Sequence, residues 1–297
     1  MTDHGHSEES ISCVIPTHAR STLLREALDS VTQQTQRPME VLVVSDVEDE
    51  LTREVVREFS QLLNVRLLRS PGSGASQSRN FGVENSNGTI IAFLDDDDVW
   101  MPRHLELGVT SLTLAQADAA VTWFDVFEGS SVHEGERISQ GLHPRDVIAK
   151  NWGSTGSNLL IRRDAFGQVG GFDPELKTKN DTDFFYRVLE SGASYAVVSE
   201  VTMLQRKHPG TQLTDRTEKR AAGNEMYLRK HRANLRWRDR RDLRLAIHRI
   251  RRSTAASPLA RLGHTILAAA NYSPRKYFEE RALRQRQRNG QLRTLGQ

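Results

Sequence analysis

Four consecutive carboxylates, Asp95, Asp96, Asp97 and Asp98, follow the apolar run Thr89-Ile90-Ile91-Ala92-Phe93-Leu94. A β-branched and aromatic run of this length is predicted to be a buried strand, and ligands of open α/β sheets bind where such strands end. Like charges packed this closely repel one another, and a cation spreads their charge, most directly a divalent metal with oxygen ligands. Carboxylates two apart can reach one ion from a turn. A solvated acidic loop is the plainer account of an acid run. Against it stand the strand before and Val99-Trp100-Met101-Pro102 after, where Pro102 can open a helix.

The elements that must position these acids alternate along the first third of the chain. Ile11-Ser12-Cys13-Val14-Ile15 is a short strand ended by Pro16, and residues 21–34 carry helical spacing through Leu24, Ala27, Leu28 and Val31. A second strand is predicted at Val41-Leu42-Val43-Val44, a helix at 51–62, and a third strand at Val65-Arg66-Leu67-Leu68. Behind the loop Ser70-Pro71-Gly72-Ser73-Gly74 a helix spans 75–85, and 89–94 is the fourth strand. Strand and helix alternating in this way make an α/β fold whose mostly parallel central sheet is flanked by helices. Residues 119–124 and 131–138 suggest a hairpin laid on that sheet, 156–162 another strand, Gly170-Gly171-Phe172-Asp173-Pro174 a tight turn, and 181–191 a helix.

The net charge of +3 hides an asymmetry: residues 1–215 hold 19 Lys+Arg against 32 Asp+Glu, and residues 216–297 hold 22 against 6. An acidic body with a basic helical extension is expected to meet something anionic. Three segments are therefore expected: a disordered N-terminus (1–10), a catalytic domain (11–215) and a basic helical C-terminal extension (216–297). The lone Cys13 excludes an internal disulfide and fits a reducing compartment. The polar start carries no apolar leader core, and no stretch approaches the roughly 20 apolar residues that span a bilayer. The protein is expected to be cytoplasmic, peripheral at the inner face of the plasma membrane through residues 229–252, whose arginines are interrupted by Leu235, Trp237, Leu243, Leu245, Ile247 and Ile250. A homodimer is left open.

Further segments turn the acid run into a specific expectation. Val14-Ile15-Pro16-Thr17-His18-Ala19-Arg20, Val43-Val44-Ser45-Asp46, Ser78-Arg79-Asn80-Phe81-Gly82, the acid run itself, then Gly170-Gly171-Phe172-Asp173 and Asn180-Asp181-Thr182-Asp183 occur in that order. The pattern resembles family 2 glycosyltransferases of the GT-A fold and covers roughly residues 11–215. The resemblance implies an inverting, metal-dependent (Mn²⁺ or Mg²⁺) hexosyl transfer from a nucleoside-diphosphate sugar, UDP-sugar favoured, to a glycan, glycolipid or other hydroxyl acceptor in cell-surface polysaccharide or glycoconjugate synthesis. It implies that Asp97 and His208 hold the metal, with Asp95 in support, and that Asp96 meets the ribose. Pro16, Thr17 and His18 would form the loop under the base, Arg20 would also bind the nucleotide sugar, Asp46 would bind the base, and Arg79 would sit near base or diphosphate.

Asp181 corresponds to the catalytic base, since an attacking hydroxyl needs one carboxylate to take its proton opposite the leaving group. Asp181 also suits the first turn of a helix, and Asp98 is expected either to join the site or to cap the following helix. This chain departs from the family pattern at His18-Ala19, where Tyr-Asn is common, and at Asn180, where Glu is common. Two alternatives come from other classes. A haloacid-dehalogenase-like phosphatase would use the run Asp95–Asp98 as an aspartyl nucleophile motif, and a nucleic-acid-binding protein would act through the tail. The tail has no aromatic interleaving and no known module, so nucleic acid is not the expected partner.

Overall fold

Apolar runs buried on both faces become the parallel strands of the sheet. β1 (Ile11–Thr17), β2 (Glu40–Ser45) and β4 (Ile90–Phe93) are buried at every residue, whereas the edge strand β3 (Val65–Arg69) is only partly covered. The four pair in parallel in the order β3-β2-β1-β4. The computed structural model describes residues 9–207, 217–278 and 281, in two compact units, Met1–Gly210 and Thr211–Gln297. Residues 1–8 of the expected disordered N-terminus lie outside the described residues. Glu9 already pairs with Arg162 at 2.9 Å, and the Ser10 N–H donates to Thr89 Oγ1 at 3.1 Å.

Helices connect the parallel strands and set their spacing. α1 (Ser21–Thr32) turns Leu24, Ala27, Leu28 and Val31 into the core. α2 (Glu50–Phe59) begins at Asp49, whose carboxylate accepts the Thr52 N–H at 3.0 Å. α3 (Ala75–Glu84) lies so close to β1 that a Cβ on Gly82 would overlap Val14. This proximity carries Arg79, one helical turn earlier, toward the end of β4.

The chain continues through β5 (Val99–Trp100), α4 (His104–Ala115), β6 (Ala119–Glu128), β7 (Ser131–Glu134), α5 (Pro144–Val147), β8 (Leu159–Arg162), α6 (Arg163–Val169), α7 (Asn180–Glu190) and β9 (Tyr195–Arg206). The sheet extends as β4-β8-β6-β9-β5, with β8 antiparallel to both neighbours, β9 parallel to β6, and β5 antiparallel to β9. β6 is thus a member of the sheet, and only β7 adds to it as a hairpin arm, which corrects the expectation that residues 119–124 and 131–138 form a hairpin laid on the sheet. Beneath the end of β4, Phe93, Phe166, Phe172 and Phe184 pack ring to ring.

The second unit contains α8 (Glu218–Lys230), α9 (Trp237–Thr254) and α10 (Pro258–Asn271). Ala221, Ile247 and Ile250 form its apolar centre, and Arg251 clasps Glu218 and Glu225, each at 2.9 Å. The expectation that the apolar residues of 229–252 enter a headgroup layer needs correction. Leu235, Leu243, Leu245, Ile247 and Ile250 are all buried, and only Trp237 of that set stays exposed. Leu243, Ile247 and Ile250 stand at i, i+4 and i+7 on one stripe of α9 and Leu245 on the other side, and all four are already covered by protein.

Candidate active site

The C-terminal ends of β1, β2 and β4 bring the acid run and its partners together. Thr17, the last residue of β1, donates from Oγ1 to Asp96 Oδ2 at 2.7 Å. Arg20 stands at the start of α1, and its Nη1 lies 3.3 Å from Asp96 Oδ1 and 3.1 Å from Asp97 Oδ2. Asp96 is almost fully buried, and desolvation pushes its carboxyl up to about 6 against the pull of Thr17 and Arg20. Between Thr17 and Arg20 the chain turns at Ala19 with φ +50°, a left-handed conformation that asparagine tolerates better than alanine. The departure from the family's asparagine therefore falls on a strained residue.

Arg79 is the centre of the second cluster. Only 2% exposed, it pairs with Asp95, lies with its guanidinium carbon 5.0 Å from the centre of the Phe172 ring, and places Nη1 3.5 Å from Asp181 Oδ1. A Cβ on Gly156 would overlap the guanidinium, so a larger residue there would displace it. Asp181 occupies the first turn of α7 and accepts no hydrogen bond at its buried Oδ1. Burial pushes its carboxyl up to about 6, opposed by the charge of Arg79 and reinforced by that of Asp95. Asn180, standing where the family commonly has Glu, accepts the Asp181 N–H at 3.0 Å and donates to Ser76 Oγ at 3.2 Å. Asp183, two residues on, is fully buried against Arg187 at 2.8 Å.

A third cluster lies one strand over. His18 Nδ1 pairs with Asp46 Oδ1, and the Gly74 N–H donates to Asp46 Oδ2 at 2.8 Å. Burial raises the Asp46 carboxyl, but His18 and the Gly74 N–H outweigh it and hold the group below the usual carboxylate range. Pro16 is buried within β1. Since Thr17 pairs with Ser45 across β1 and β2, this cluster and the acid run open on the same end of the sheet. A cavity of about 210 Å³ lined by Ser45, Val47, Thr52, Arg53 and Arg69 adjoins Asp46 but includes none of the four acids. His208 lies outside the described residues.

Asp98 does not cap a helix, as α4 starts at His104 behind Arg103. Instead it accepts Ser157 Oγ at 2.6 Å and the Arg206 N–H at 3.0 Å, and burial with the charges of Asp95 and Asp97 drives its carboxyl well up. Ser157 also accepts the Asp95 N–H at 3.0 Å, and Arg206 Nε donates to the Asp97 carbonyl at 3.0 Å. Ser157, Gly74 and Arg206 thus shape the site without having been singled out from the sequence. Each acts through one hydroxyl, one backbone N–H or a strand end, and no spacing pattern announces such contacts.

The donor set suits a hard divalent cation. Asp95 and Asp97 offer carboxylate oxygens with side chains 30% and 22% exposed, and Arg20 already supplies positive charge there. Among the described residues no group of three or more His, Cys, Asp and Glu converges on one ion position. One or two protein carboxylates completed by substrate phosphate is the usual manner of holding Mg²⁺.

Residues 12–170 match the sequence model of Glycosyl transferase family 2, more than half of the chain. The chain belongs to that family. Among its relatives, the succinoglycan biosynthesis protein ExoW of Rhizobium meliloti (strain 1021) is 31% identical over 201 residues, 59% of this chain and 62% of ExoW. The chain spans 62–65% of the length of the first curated relatives it matches. S. aureus TarS 1-349 in complex with UDP-GlcNAc superposes with a TM-score of 0.62 at 16% identity, covering 92% of each chain. The mannosyltransferase PcManGT from Pyrobaculum calidifontis, in complex with GDP-Man and Mn²⁺, gives 0.57 at 19% identity over 90% of this chain and 82% of that one. At these identities the likeness fixes the fold, which is GT-A. Family 2 membership removes the phosphatase alternative as an account of the acid run.

Proposed function

We propose that the protein is a metal-dependent, inverting glycosyltransferase that moves a sugar from a nucleoside-diphosphate donor, UDP-sugar favoured, to an acceptor hydroxyl, in the synthesis of a cell-surface polysaccharide or glycoconjugate. The observation that carries this reading is the Asp95–Arg79–Asp181 chain. It holds a carboxylate with one unbonded, buried oxygen beside the acid loop at the open end of the sheet. In this reading Asp181 takes the proton of the acceptor hydroxyl as its oxygen bonds to the anomeric carbon. The bond from that carbon to the diphosphate oxygen breaks on the opposite face, and the configuration inverts. Arg79 keeps Asp181 ionised and oriented, because a cation beside a carboxylate favours its charged form.

Asp97, supported by Asp95 and by His208, would hold Mn²⁺ or Mg²⁺, whose contribution is to offset the charge that the diphosphate gains as it leaves. Asp96 would meet the ribose from the position in which Thr17 holds it. His18 and Asp46, paired at the neighbouring strand end, would receive the base. A UDP donor is supported by the TarS complex and a polysaccharide role by ExoW. The bounds 11–215 are retained as those of the catalytic domain.

A thermal-shift panel of UDP, GDP and dTDP with and without Mn²⁺, followed by donor-dependent release of nucleoside diphosphate, tests the reading. Metal-dependent stabilisation by one diphosphate, followed by its release from the matching sugar nucleotide, is expected. No response to any nucleoside diphosphate would overturn it.

A further inference from the structure

α10 is a helix with two faces of opposite fate. His264, Ala268 and Asn271 are its less exposed positions, with Ala268 buried and His264 Nδ1 lying 3.3 Å from His248 Nδ1 of α9. At 100° per residue the opposite side carries Leu259, Leu262, Gly263, Ile266, Leu267 and Ala270 with no charged residue among them. Leu259 is 80% exposed, Leu262 56%, Ile266 60% and Leu267 45%, and the exposed Tyr277 and Phe278 follow shortly beyond the helix. The element forms through its own ends, for Ser257 Oγ accepts the Ala260 N–H at 3.1 Å and Pro258 occupies the first turn. Among the described residues nothing covers this apolar face, on a helix that does not need it to fold.

The charge around this face selects what covers it. Residues 236–278 contain eleven Lys and Arg against two Asp, a surplus of nine. Arg275 and Lys276 follow the C-terminus of α10, where Arg241 also reaches the Ala270 and Tyr272 carbonyls at 3.3 and 3.4 Å. A second copy packed face to face would bring two such surpluses together across one interface, an arrangement opposed by like-charge repulsion. A nucleic acid would satisfy the cations but leave the leucines in water. An anionic lipid surface meets both demands at once, since apolar side chains enter the acyl boundary while arginines and lysines stay among phosphate groups. At 14 residues α10 is about 21 Å long by the helical rise, and no described helix is long and apolar enough to cross a membrane.

We infer that α10 is an interfacial helix that lays Leu259, Leu262, Ile266 and Leu267 into the headgroup layer of an anionic membrane, with Arg275 and Lys276 beyond its C-terminus meeting the lipid phosphates. This moves the membrane contact away from residues 229–252, whose leucines and isoleucines are buried, to the helix after them. It is independent of the proposed transfer chemistry.

Flotation of the full-length protein with vesicles tests it. The parent is expected to bind vesicles of equimolar phosphatidylcholine and phosphatidylglycerol at low salt and not to bind pure phosphatidylcholine. The double variant Leu262→Ser/Ile266→Ser changes no charge, and both side chains are exposed, so its melting temperature should match that of the parent. Its affinity for the anionic vesicles should fall about tenfold or more, from the lost apolar transfer. Parent-like binding by the double variant would assign the attachment to charge alone and overturn the inference, as would a parent that ignores anionic vesicles. A parent that is dimeric in solution, with a monomeric double variant, would assign the face to a second copy and overturn it equally.

Discussion

Arg79 Nη1 stands 3.5 Å from Asp181 Oδ1 while the same guanidinium pairs with Asp95. One buried cation thus links the acid loop after β4 to the first turn of α7, two elements that no backbone hydrogen bond joins. The charge states of the two carboxylates are coupled through it, and its loss would be felt at both.

Replacing Arg79 with Met removes the charge that lowers the Asp181 carboxyl, so the acid limb of the activity profile should move upward from about 6. Stability should fall by about 3 kcal/mol, the lower end for breaking a buried pair, because both carboxylates retain some contact with water. Arg79→Lys keeps the charge but not the fork, and should preserve stability better than turnover. Urea denaturation and kcat against pH measure the two effects.

For Asp181→Asn, turnover should drop by roughly 10²–10⁴ while donor affinity holds, as expected of a lost general base. In the parent enzyme the proposed base would work only when ionised. With the carboxyl raised to about 6, kcat/KM should fall tenfold per unit as pH drops below that value and should level off above it. An Asp181→Asn enzyme with parental turnover would remove this residue from the chemistry.

Asp97→Ala should abolish the Mn²⁺ dependence of nucleoside-diphosphate binding, since Asp97 is the acid proposed to bridge ion and protein. Arg20 keeps its contact with Asp96 in that variant, so the loop should stay folded and the melting temperature of the free protein should hold. Isothermal titration with UDP, with Mn²⁺ present and absent, measures the difference.

Ser157→Ala leaves the Asp95 N–H without its acceptor and Asp98 with one donor fewer. Unsatisfied buried groups of this kind cost about 1–3 kcal/mol, and Ser157→Thr, which restores the hydroxyl, should recover part of it. Denaturation midpoints of the two variants give the comparison, and a Ser157→Ala protein as stable as the parent would show that the hydroxyl is dispensable.

The strands around the site were legible because a parallel strand buried on both faces has to be a continuous apolar run, as Val41–Val44 and Ile90–Phe93 are. The acid run was legible for the opposite reason, since nothing apolar could explain it. β9 was less so. It pairs with β6 in parallel through register shifts on either side of Trp123, and such irregularity breaks the alternation by which an isolated strand is read. The tail misled because composition cannot tell a leucine that is covered from one that is free. Leu243 and Leu262 carry identical side chains, and only packing distinguishes the buried one from the exposed one.

Asp98 accepts the backbone N–H of Arg206, 108 residues further along the chain, and the hydroxyl of Ser157, 59 residues further. During synthesis the four carboxylates leave the ribosome long before either partner exists. At ordinary elongation rates the wait for Arg206 is on the order of ten seconds. Until then the acid loop can stay hydrated, and a nascent chain paused before β9 would possess the first eight strands but no finished pocket. Closure of the site is therefore tied to completion of the unit, so a truncated product of translation would carry the family's motifs without the means to use them.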